Sequence, residues 1–353
     1  MILSIESSCD DSSIAITRIK DSALLYHKKL SQESQHSQYG GVVPELASRL
    51  HTEFLPLVLQ DAKAFLGDFS GLKAIAVTTE PGLSVSLIEG LMMAKTLCLG
   101  LQIPIITINH LIGHFYSLFI NQHQCTFPMS VLLVSGGHTQ IIEVISPTCF
   151  KIIAKSMDDS FGECFDKVAK MLNLGYPGGP IIEQYAKAYH NSATYTQSLD
   201  KDSEKTLAPL PLPLKHDKTI SFSFSGLKNA TRLMIQNQLD SQSLNDELRA
   251  YICASFQQAA IEHICDKTHR YFKTTQIKNF AIVGGASANE ALRTAIQQIC
   301  DTYHAKLFLA PLEFCQDNAA MIGRAGVEEF KAGHFSDIFE CDISPKTTSK
   351  YFD

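Results

Sequence analysis

Hydrophobic and polar positions along this chain follow two different periods. Near the start, apolar and β-branched residues alternate with polar or turn residues in three short runs, at 2–5, 12–19 and 23–30. Such runs are typical of strands in a meander. The chain is therefore expected to open with three consecutive strands.

A helical period begins at Pro44, which suits the first turn of a helix. Apolar residues then recur at three- and four-residue spacing and predict a buried helix face. These residues are Leu46, Leu50, Phe54 and Leu57. Pro56 is expected to kink this helix, because proline lacks the backbone N–H of the helical ladder.

Strand and helix patterns then alternate, and the same order starts again at Met129. In the first half we expect strands at 72–78 and 103–108 and helices at 85–99 and 109–120. In the second half the expected strands are 130–135, 138–145, 150–156, 280–283 and 306–309, and the expected helices are 161–172, 246–274, 288–300 and 317–330. Both halves thus have the order βββαβαβα. This order predicts an α/β protein of two lobes, each a mixed sheet covered by helices, with ligands in the cleft between them.

The expected domain division follows from this repeat. Residues 1–125 form the first lobe and residues 126–330 the second, and the terminal segment 331–353 is expected to pack back on the first lobe. A stretch rich in Ser, Thr, Lys, Asp and Pro, at 190–219, is expected to be an inserted loop.

Composition and charge narrow the classes of function. Of 353 residues, 45% are hydrophobic and 19% charged, which suits a chain with a sizeable core. The net charge of −6 excludes a general positive field, so contact with a nucleic acid would need local patches or a partner. Ten cysteines without a CxxC pair, no leader and no apolar run near about 20 residues predict a cytoplasmic protein.

Two histidines in NHLIGH are candidate metal ligands. His110 and His114 are four residues apart on a predicted helix, so both rings project from one face. Asp317, in CQDNAAMIG, is a candidate third ligand. Two histidines and a carboxylate suit Fe(II) or Zn and leave coordination positions open. Two ordinary helix histidines and an aspartate that caps a helix would also explain these residues.

Glycine pairs mark the candidate anion sites. In LLVSGGHTQ, a strand that contains Val134 runs into Ser135, Gly136, Gly137 and His138, whose backbone could approach a phosphate closely. An ordinary hairpin turn also explains the pattern. The Glu6 to Asp11 segment ESSCDD, which includes Asp10, lies between two strands. Its clustered hydroxyls and carboxylates could face phosphate and metal, although turn chemistry alone would also explain them.

Two further segments carry candidate contacts. In IVGGASANEALR, Asn289 stands beside a helix N-terminus suited to a nucleotide, although close strand–helix packing also explains the glycines. In SFGECFDKVAKMLNLGYPGG, Asp166 lies on a largely apolar helix and Gly179 opens the next element. A solvated helix face and a plain turn would account for these two residues equally well.

In this order, the segments resemble the family of tRNA threonylcarbamoyladenosine transferases, formerly described as O-sialoglycoprotein endopeptidases. The matching segments span most of the chain and are IESSCDDSS, SQYGGVVPELASRLH, PGLSVSLIEGLMMAK, INHLIGH, LLVSGGHT, FGECFDKVAKMLNLGYPGGP, SFSFSGLKNA, VGGASANEALR and CQDNAAMI. The resemblance implies a duplicated actin/hexokinase-like fold. Metal ligands then fall on His110, His114 and Asp317, and nucleotide or intermediate contacts on 134–138, Asp166, Gly179 and Asn289. The sequence departs from the family at Glu80-Pro81-Gly82, usually Gly-Pro-Gly, and at Asp10-Asp11-Ser12, usually Asp-Glu-Thr.

The resemblance also implies a reaction and partners. Threonylcarbamoyl-AMP, made by a separate enzyme, would donate its carbamoyl carbon to N6 of the adenosine 3′ of the tRNA anticodon, with a divalent metal (Fe(II), Zn or Mg) in the site and ATP or ADP as a further ligand. A smaller paralogue forming a heterodimer and a small ATPase are the implied partners, and Asp10 would lie near the reacting centre.

Three rival functions are disfavoured. A zinc protease would need its catalytic glutamate where this chain has Leu111. An actin-fold kinase or ATPase would lack a His/His/Asp set at these positions, and a non-enzymatic relative would be expected to have lost some of the ligands.

Overall fold

The computed structural model describes residues 1–191, 210–241, 244–348 and Phe352. The predicted insert at 190–219 therefore lies largely outside the described residues. The strands of the first half are β1 (Ile2–Glu6), β2 (Asp11–Thr17), β3 (Leu24–Ser31), β4 (Ala74–Glu80) and β5 (Ile105–Asn109). Those of the second half are β6 (Met129–Val134), β7 (Thr139–Ser146), β8 (Cys149–Lys155), β9 (Asn279–Val283) and β10 (Lys306–Leu309).

Helices fill the connections between these strands. In the first half they are α1 (Glu33–His36), α2 (Pro44–Leu66), α3 (Ser84–Leu101) and α4 (His110–Tyr116). In the second half they are α5 (Phe161–Met171), α6 (Gly178–His190), α7 (Ser225–Ser241), α8 (Asp246–Thr274), α9 (Glu290–Thr302) and α10 (Ala319–Ala332). Among the described residues, the four helices α5 to α8 lie between β8 and β9, whereas α1 and α2 lie between β3 and β4 in the first half.

The two sheets share one topology. Their strand orders are β3-β2-β1-β4-β5 and β10-β9-β6-β7-β8, so that β6 occupies in the second sheet the place of β1 in the first. β1 pairs antiparallel with β2 and parallel with β4, and β6 pairs in the same way with β7 and β9. The predicted duplication of an α/β unit is confirmed.

Two helices lie between the sheets and join them. α10 follows the last strand of the second sheet but packs on β1 and β2 of the first sheet and on α4. α4 follows β5 and also contacts β6. One apolar cluster consequently contains residues of both halves, among them Ile2, Ala15, Phe115, Val131, Leu133 and Met321. The predicted boundary at residues 125 and 126 stays a prediction.

The segment after α10 contacts the start of β5 and the carboxyl end of β4. The backbone N–H of Ser336 donates to the Ile105 carbonyl at 3.0 Å, and that of Ser344 donates to the Thr79 carbonyl at 2.9 Å. Ile338 and Ile343 pack against a separate apolar cluster formed by residues of the first half. Phe352, in contrast, pairs with Phe150 of β8.

The predicted buried face of α2 is wrong by about one residue. The buried residues are Ala47, His51, Leu55, Val58 and Ala62, whereas Leu57 is 52% exposed. The helix carries two apolar stripes, and the choice between them is made by contact with α3 and β2 rather than by the helical period. α2 runs unbroken across Pro56.

α3 is, by length and composition, the one helix among the described residues that could cross a membrane. Its residues Leu87, Leu91, Ala94 and Cys98 are nevertheless buried, and the helix packs on β4 and α2. A core helix with such contacts passes the same test of length and composition.

We expect Gly323→Ala to destabilise the fold, because α10 approaches β1 and β2 too closely for a side chain. A Cβ atom on Gly323 would lie 2.8 Å from Ser4 Oγ and closer still to Thr17 Oγ1. Overpacking of this kind costs about 1–3 kcal/mol of unfolding free energy, measurable by urea denaturation. Gly100→Ala on α3, where a Cβ meets nothing within 4 Å, is the control and should be neutral or stabilising. Equal stability of both variants would contradict the close packing.

Candidate functional site

The two histidines of the candidate site stand at the start of α4. Asn109 ends β5, and its Oδ1 accepts hydrogen bonds from the N–H groups of Leu111 at 2.9 Å and Ile112 at 3.4 Å. This cap starts the helix directly at the carboxyl end of the strand. His110 is therefore the first helical residue and His114 lies one turn later, with ring centroids 4.6 Å apart.

Asp317 reaches the same point from the loop before α10. Its Oδ1 lies 3.3 Å from His110 Nε2 and 3.2 Å from His114 Nε2. The possible ligand atoms of the three residues all lie within 4.8 Å of one another. The interpretation of Asp317 as a helix cap is wrong, because Asn318 caps α10 by accepting from Met321 N–H at 2.9 Å.

Glu6, the first residue of the ESSCDD segment, fixes the orientation of His110. Its Oε2 lies 3.1 Å from His110 Nδ1 and accepts a hydrogen bond from Thr78 Oγ1 at 2.6 Å. Its Oε1 accepts from the Ser8 N–H at 2.6 Å. With Nδ1 held by a carboxylate, Nε2 is left to face Asp317, as in the histidine–carboxylate pairs of metal sites.

Burial and charge act against each other in this cluster. Glu6 is fully buried, which opposes its ionisation, but the His110 charge and hydrogen bond hold the pKa of Glu6 below its ordinary value. Burial likewise opposes ionisation of Asp317, and His110 and His114 hold its pKa well below the ordinary value. Burial opposes the charge on His110, but Asp317 and Glu6 raise its pKa well above the ordinary value.

The donor set fits a divalent metal. His114 is fully buried, and neither of its ring nitrogens has a hydrogen-bond partner among the described residues. Its Nε2 is near Asp317 Oδ1, but not in hydrogen-bonding geometry. A buried imidazole without a partner is costly unless the nitrogen coordinates an ion. Two nitrogens and one carboxylate oxygen are the ligands that Fe(II) and Zn accept, with positions left open.

A cavity of about 270 Å³ extends from Asp317 between the two lobes. Several residues predicted from the sequence line this cavity, namely Asp10, Ser135, Gly136, Asp166 and Gly179. Tyr176, Ser31 and Gln316 also line it and carry no recognisable pattern in the sequence. Cys9 is at its edge, where burial raises the pKa of the thiol well above its ordinary value, so that it is a poor nucleophile.

The Ser135–His138 segment is both a hairpin turn and part of the cavity wall. The Ser135 N–H donates to the His138 carbonyl at 2.8 Å and closes the hairpin between β6 and β7. Ser160, the N-cap of α5, donates through Oγ to the Gly136 carbonyl at 2.7 Å. A Cβ on Gly162 would lie 2.6 Å from the Ser135 carbonyl oxygen, so the first turn of α5 lies directly against the glycines.

Four predicted contacts do not line the cavity. Val134 is a buried residue of β6, and Gly137 is exposed. His138 is half-buried, and burial together with the nearby His110 and His114 lowers its pKa to about 4. Asn289 caps α9 through Oδ1 and donates through Nδ2 to Gln257 Oε1 at 2.9 Å. Their assignment as substrate contacts stays a prediction.

Asp166 generates a pH-dependent prediction. Burial raises the pKa of Asp166 to about 6, although its Oδ1 accepts from the Gly178 N–H at 2.7 Å. The folded protein thus binds a proton more tightly than the unfolded chain, so ionisation lowers stability as the pH rises from about 4 to about 6. Asp166→Asn keeps the acceptor and removes the charge, so its stability relative to the original protein should increase across that range and stay constant above it.

Chemical denaturation at several pH values measures this difference. Asp158→Asn is the control of opposite sign, because hydrogen bonds from Ser223 and Ser225 outweigh burial and lower the pKa of Asp158. Its relative stability should fall as the pH rises through the acid range. A flat difference for Asp166→Asn would show that this carboxyl is not perturbed.

Comparison with known proteins places the chain in a family. The family model described as tRNA N6-adenosine threonylcarbamoyltransferase matches residues 23–324. A protein of that name from Helicobacter pylori (strain P12) is 56% identical over 354 residues, which is 100% of both chains. One from Wolinella succinogenes is 55% identical over 349 residues, 99% of each chain.

Two solved structures share the fold at low sequence identity. HypF from T. kodakarensis has a TM-score of 0.56 at 12% identity, covering 99% of this chain and 49% of that one. Full-length HypF in a phosphate- and nucleotide-bound form has a TM-score of 0.53 at 11% identity, covering 95% and 56%. These likenesses confirm the predicted duplicated actin/hexokinase-like fold. From its full-length identity to the curated relatives and the extent of the family match, the chain belongs to the tRNA N6-adenosine threonylcarbamoyltransferase family.

Proposed function

We propose that this chain transfers the threonylcarbamoyl group of threonylcarbamoyl-AMP to N6 of the adenosine immediately 3′ of the anticodon, in tRNAs that read codons beginning with adenosine. The observation that carries the proposal is the convergence of His110, His114 and Asp317 in one cluster, in a chain that matches the family over its whole length. Of the three residues, Asp317 lines the cavity between the lobes.

The proposed reaction is an acyl transfer in which AMP leaves. The N6 lone pair attacks the carbamoyl carbon, the bond from this carbon to the phosphate oxygen breaks, and AMP departs with that electron pair. One N6 proton is lost. Because an exocyclic amine is a weak nucleophile, the site must orient the donor and stabilise the negative charge on its leaving phosphate.

We infer that His110, His114 and Asp317 hold one divalent ion, either Fe(II) or Zn, with Mg as the further candidate. Such an ion would supply a Lewis acid for the donor oxygens. Glu6 contributes by keeping the Nδ1 side of His110 occupied, so that Nε2 stays directed at Asp317. The ring nitrogens of His114, which lack a hydrogen-bond partner in the described part of the chain, support the same assignment.

The remaining cavity residues suit an anionic donor. Ser135 and Gly136 present a hydroxyl and a backbone without a side chain, next to the N-terminus of α5, whose dipole favours a negative charge. Asp10 is our candidate acceptor of the N6 proton. Burial and the neighbouring charge of Asp317 raise the pKa of Asp10, which brings a carboxylate closer to the range useful for a general base.

Partners and location complete the proposal. We propose that a smaller paralogue binds this chain as a heterodimer, that a small ATPase assists with ATP or ADP, and that a separate enzyme supplies the donor. The net charge of −6 supports the need for partners in tRNA binding. None of the ten cysteines forms a disulfide, which supports a reducing compartment such as the cytoplasm.

Alanine substitution of each ligand tests the metal site. His110→Ala, His114→Ala and Asp317→Ala should each reduce bound metal and tRNA modification together, by about 10-fold or more, because each removes one of three protein ligands. Metal analysis beside mass spectrometry of tRNA nucleosides gives both readouts. His263→Ala is the matched control, since His263 is also a fully buried histidine but lies on α8. The His263→Ala protein should be less stable but should bind metal and modify tRNA as the original protein does. Full occupancy and activity in Asp317→Ala would refute the shared site.

A second variant tests the glycine turn. Gly136→Val should weaken AMP binding, because the side chain would project where the donor phosphate needs a close backbone approach. No atom lies within 4 Å of a Cβ at this position, so the fold should survive. Isothermal calorimetry with AMP measures the effect. Gly100→Val, equally unhindered but on α3, should bind AMP normally. Unchanged AMP affinity in Gly136→Val would show that the segment is an ordinary hairpin turn without a role in AMP binding.

A further inference from the structure

Glu80 is a buried carboxylate at the end of β4. It lies beside β5, the strand that leads into α4 and its two histidines. It is 5% exposed and is paired across the sheet with Asn109, the last residue of β5. This is also the position at which the sequence departs from Gly-Pro-Gly. Glu80 itself touches none of the three candidate metal ligands, since its hydrogen bonds go to Asn109 and Thr348.

The hydrogen bonds of Asn109 leave its amide a single orientation. Its Oδ1 must face the backbone of α4, because the N–H groups of Leu111 and Ile112 can only donate. Its Nδ2 must then face away from the helix, where it donates to Glu80 Oε1 at 2.9 Å. The Glu80 carboxylate can only accept, so it selects the orientation in which Asn109 caps the helix.

The same carboxylate is held from the other side by the C-terminal segment. The Thr348 backbone N–H lies 3.3 Å from both Glu80 oxygens. The neighbouring Ser344 N–H donates to the Thr79 carbonyl at 2.9 Å, which fixes this segment over the end of β4. Between segment and sheet is a second cavity of about 420 Å³, lined by Glu80, Thr107 and Asp337 among others.

We propose that Glu80 is a positioning residue for the metal-ligand helix, acting through Asn109 and held in place by Thr348. The Asn109 side-chain cap fixes the first turn of α4, and His110 is the first residue of that turn. The direction of its Nε2 toward Asp317 therefore depends on a carboxylate outside the metal site. The inference rests on the proposed metal site.

Exchanging the hydrogen-bonding groups at positions 80 and 109 tests whether their hydrogen bond positions α4. In Asn109→Asp, the cap oxygen remains, but the second oxygen repels the Glu80 carboxylate. In Glu80→Gln, one side-chain atom becomes a donor and faces either Asn109 Nδ2 or the Thr348 N–H, both of which are donors. In the double variant, the glutamine amide can donate to the aspartate while its carbonyl accepts from Thr348, so every hydrogen bond is restored.

The readout is Co²⁺ binding to the purified full chain, followed by the visible absorption of the bound ion, which reports coordination geometry. Each single variant should raise the Kd for Co²⁺ about 10-fold and alter the spectrum, and the double variant should return to within about 2-fold of the original protein. Asn245→Asp, at the N-cap of α8, is the matched control and should leave Co²⁺ binding unchanged.

Further outcomes separate this inference from the proposed function. If His110→Ala weakens Co²⁺ binding but the single variants do not, the positioning role is refuted and the metal site stands. If the effects of the two single variants multiply in the double variant, the hydrogen bond between positions 80 and 109 does not position the helix. If the original protein and His110→Ala bind Co²⁺ equally, the proposed metal site itself fails.

Discussion

The packing of α4 against α10 between the two sheets is the contact on which the rest of the molecule depends. A Cβ on Gly113 would lie 2.7 Å from Ile322 Cδ1, so the two helices are as close as a glycine allows. α4 follows β5 of the first sheet and contacts β6 of the second sheet. α10 follows β10 of the second sheet and contacts β1 and β2 of the first. The histidines begin one helix and Asp317 precedes the other, so the contact that joins the lobes also sets the distances among the candidate ligands.

The ligand cluster shows how buried charge is accommodated here. Glu6 and His114 are fully buried and His110 is 8% exposed, so each group would be costly alone. Glu6 is satisfied by Ser8, Thr78 and His110, while His114 keeps nitrogens without partners among the described residues. Removing one member of such a set leaves the others uncompensated, which is why single substitutions should have effects out of proportion to one lost contact.

The acidic side chains that line the cavity are also partly offset by a nearby positive charge. Burial raises the pKa of Asp11, beside Asp10, to about 6, although Lys29 lies 2.9 Å from its Oδ2. Lys29 also donates to Gln316 Oε1 at 3.0 Å, next to Asp317. A single cation thus joins the turn between β1 and β2 to the loop before α10. The ion pair with Lys29 and the raised pKa of Asp11 and Asp166 would both reduce the repulsion of the anionic donor that we propose for this cavity.

The sequence by itself determined the local features. Short-range alternation located the strands, the four-residue spacing placed His110 and His114 on one face of a helix, and the motif order indicated the family. The tertiary structure decided everything that depends on which surfaces meet: which stripe of α2 is buried, that Asn318 rather than Asp317 caps α10, and that Glu6 holds His110 from over 100 residues away. Periodicity reports what one element can bury, whereas the partner across a sheet or between lobes is chosen by packing among distant segments, which local pattern does not encode.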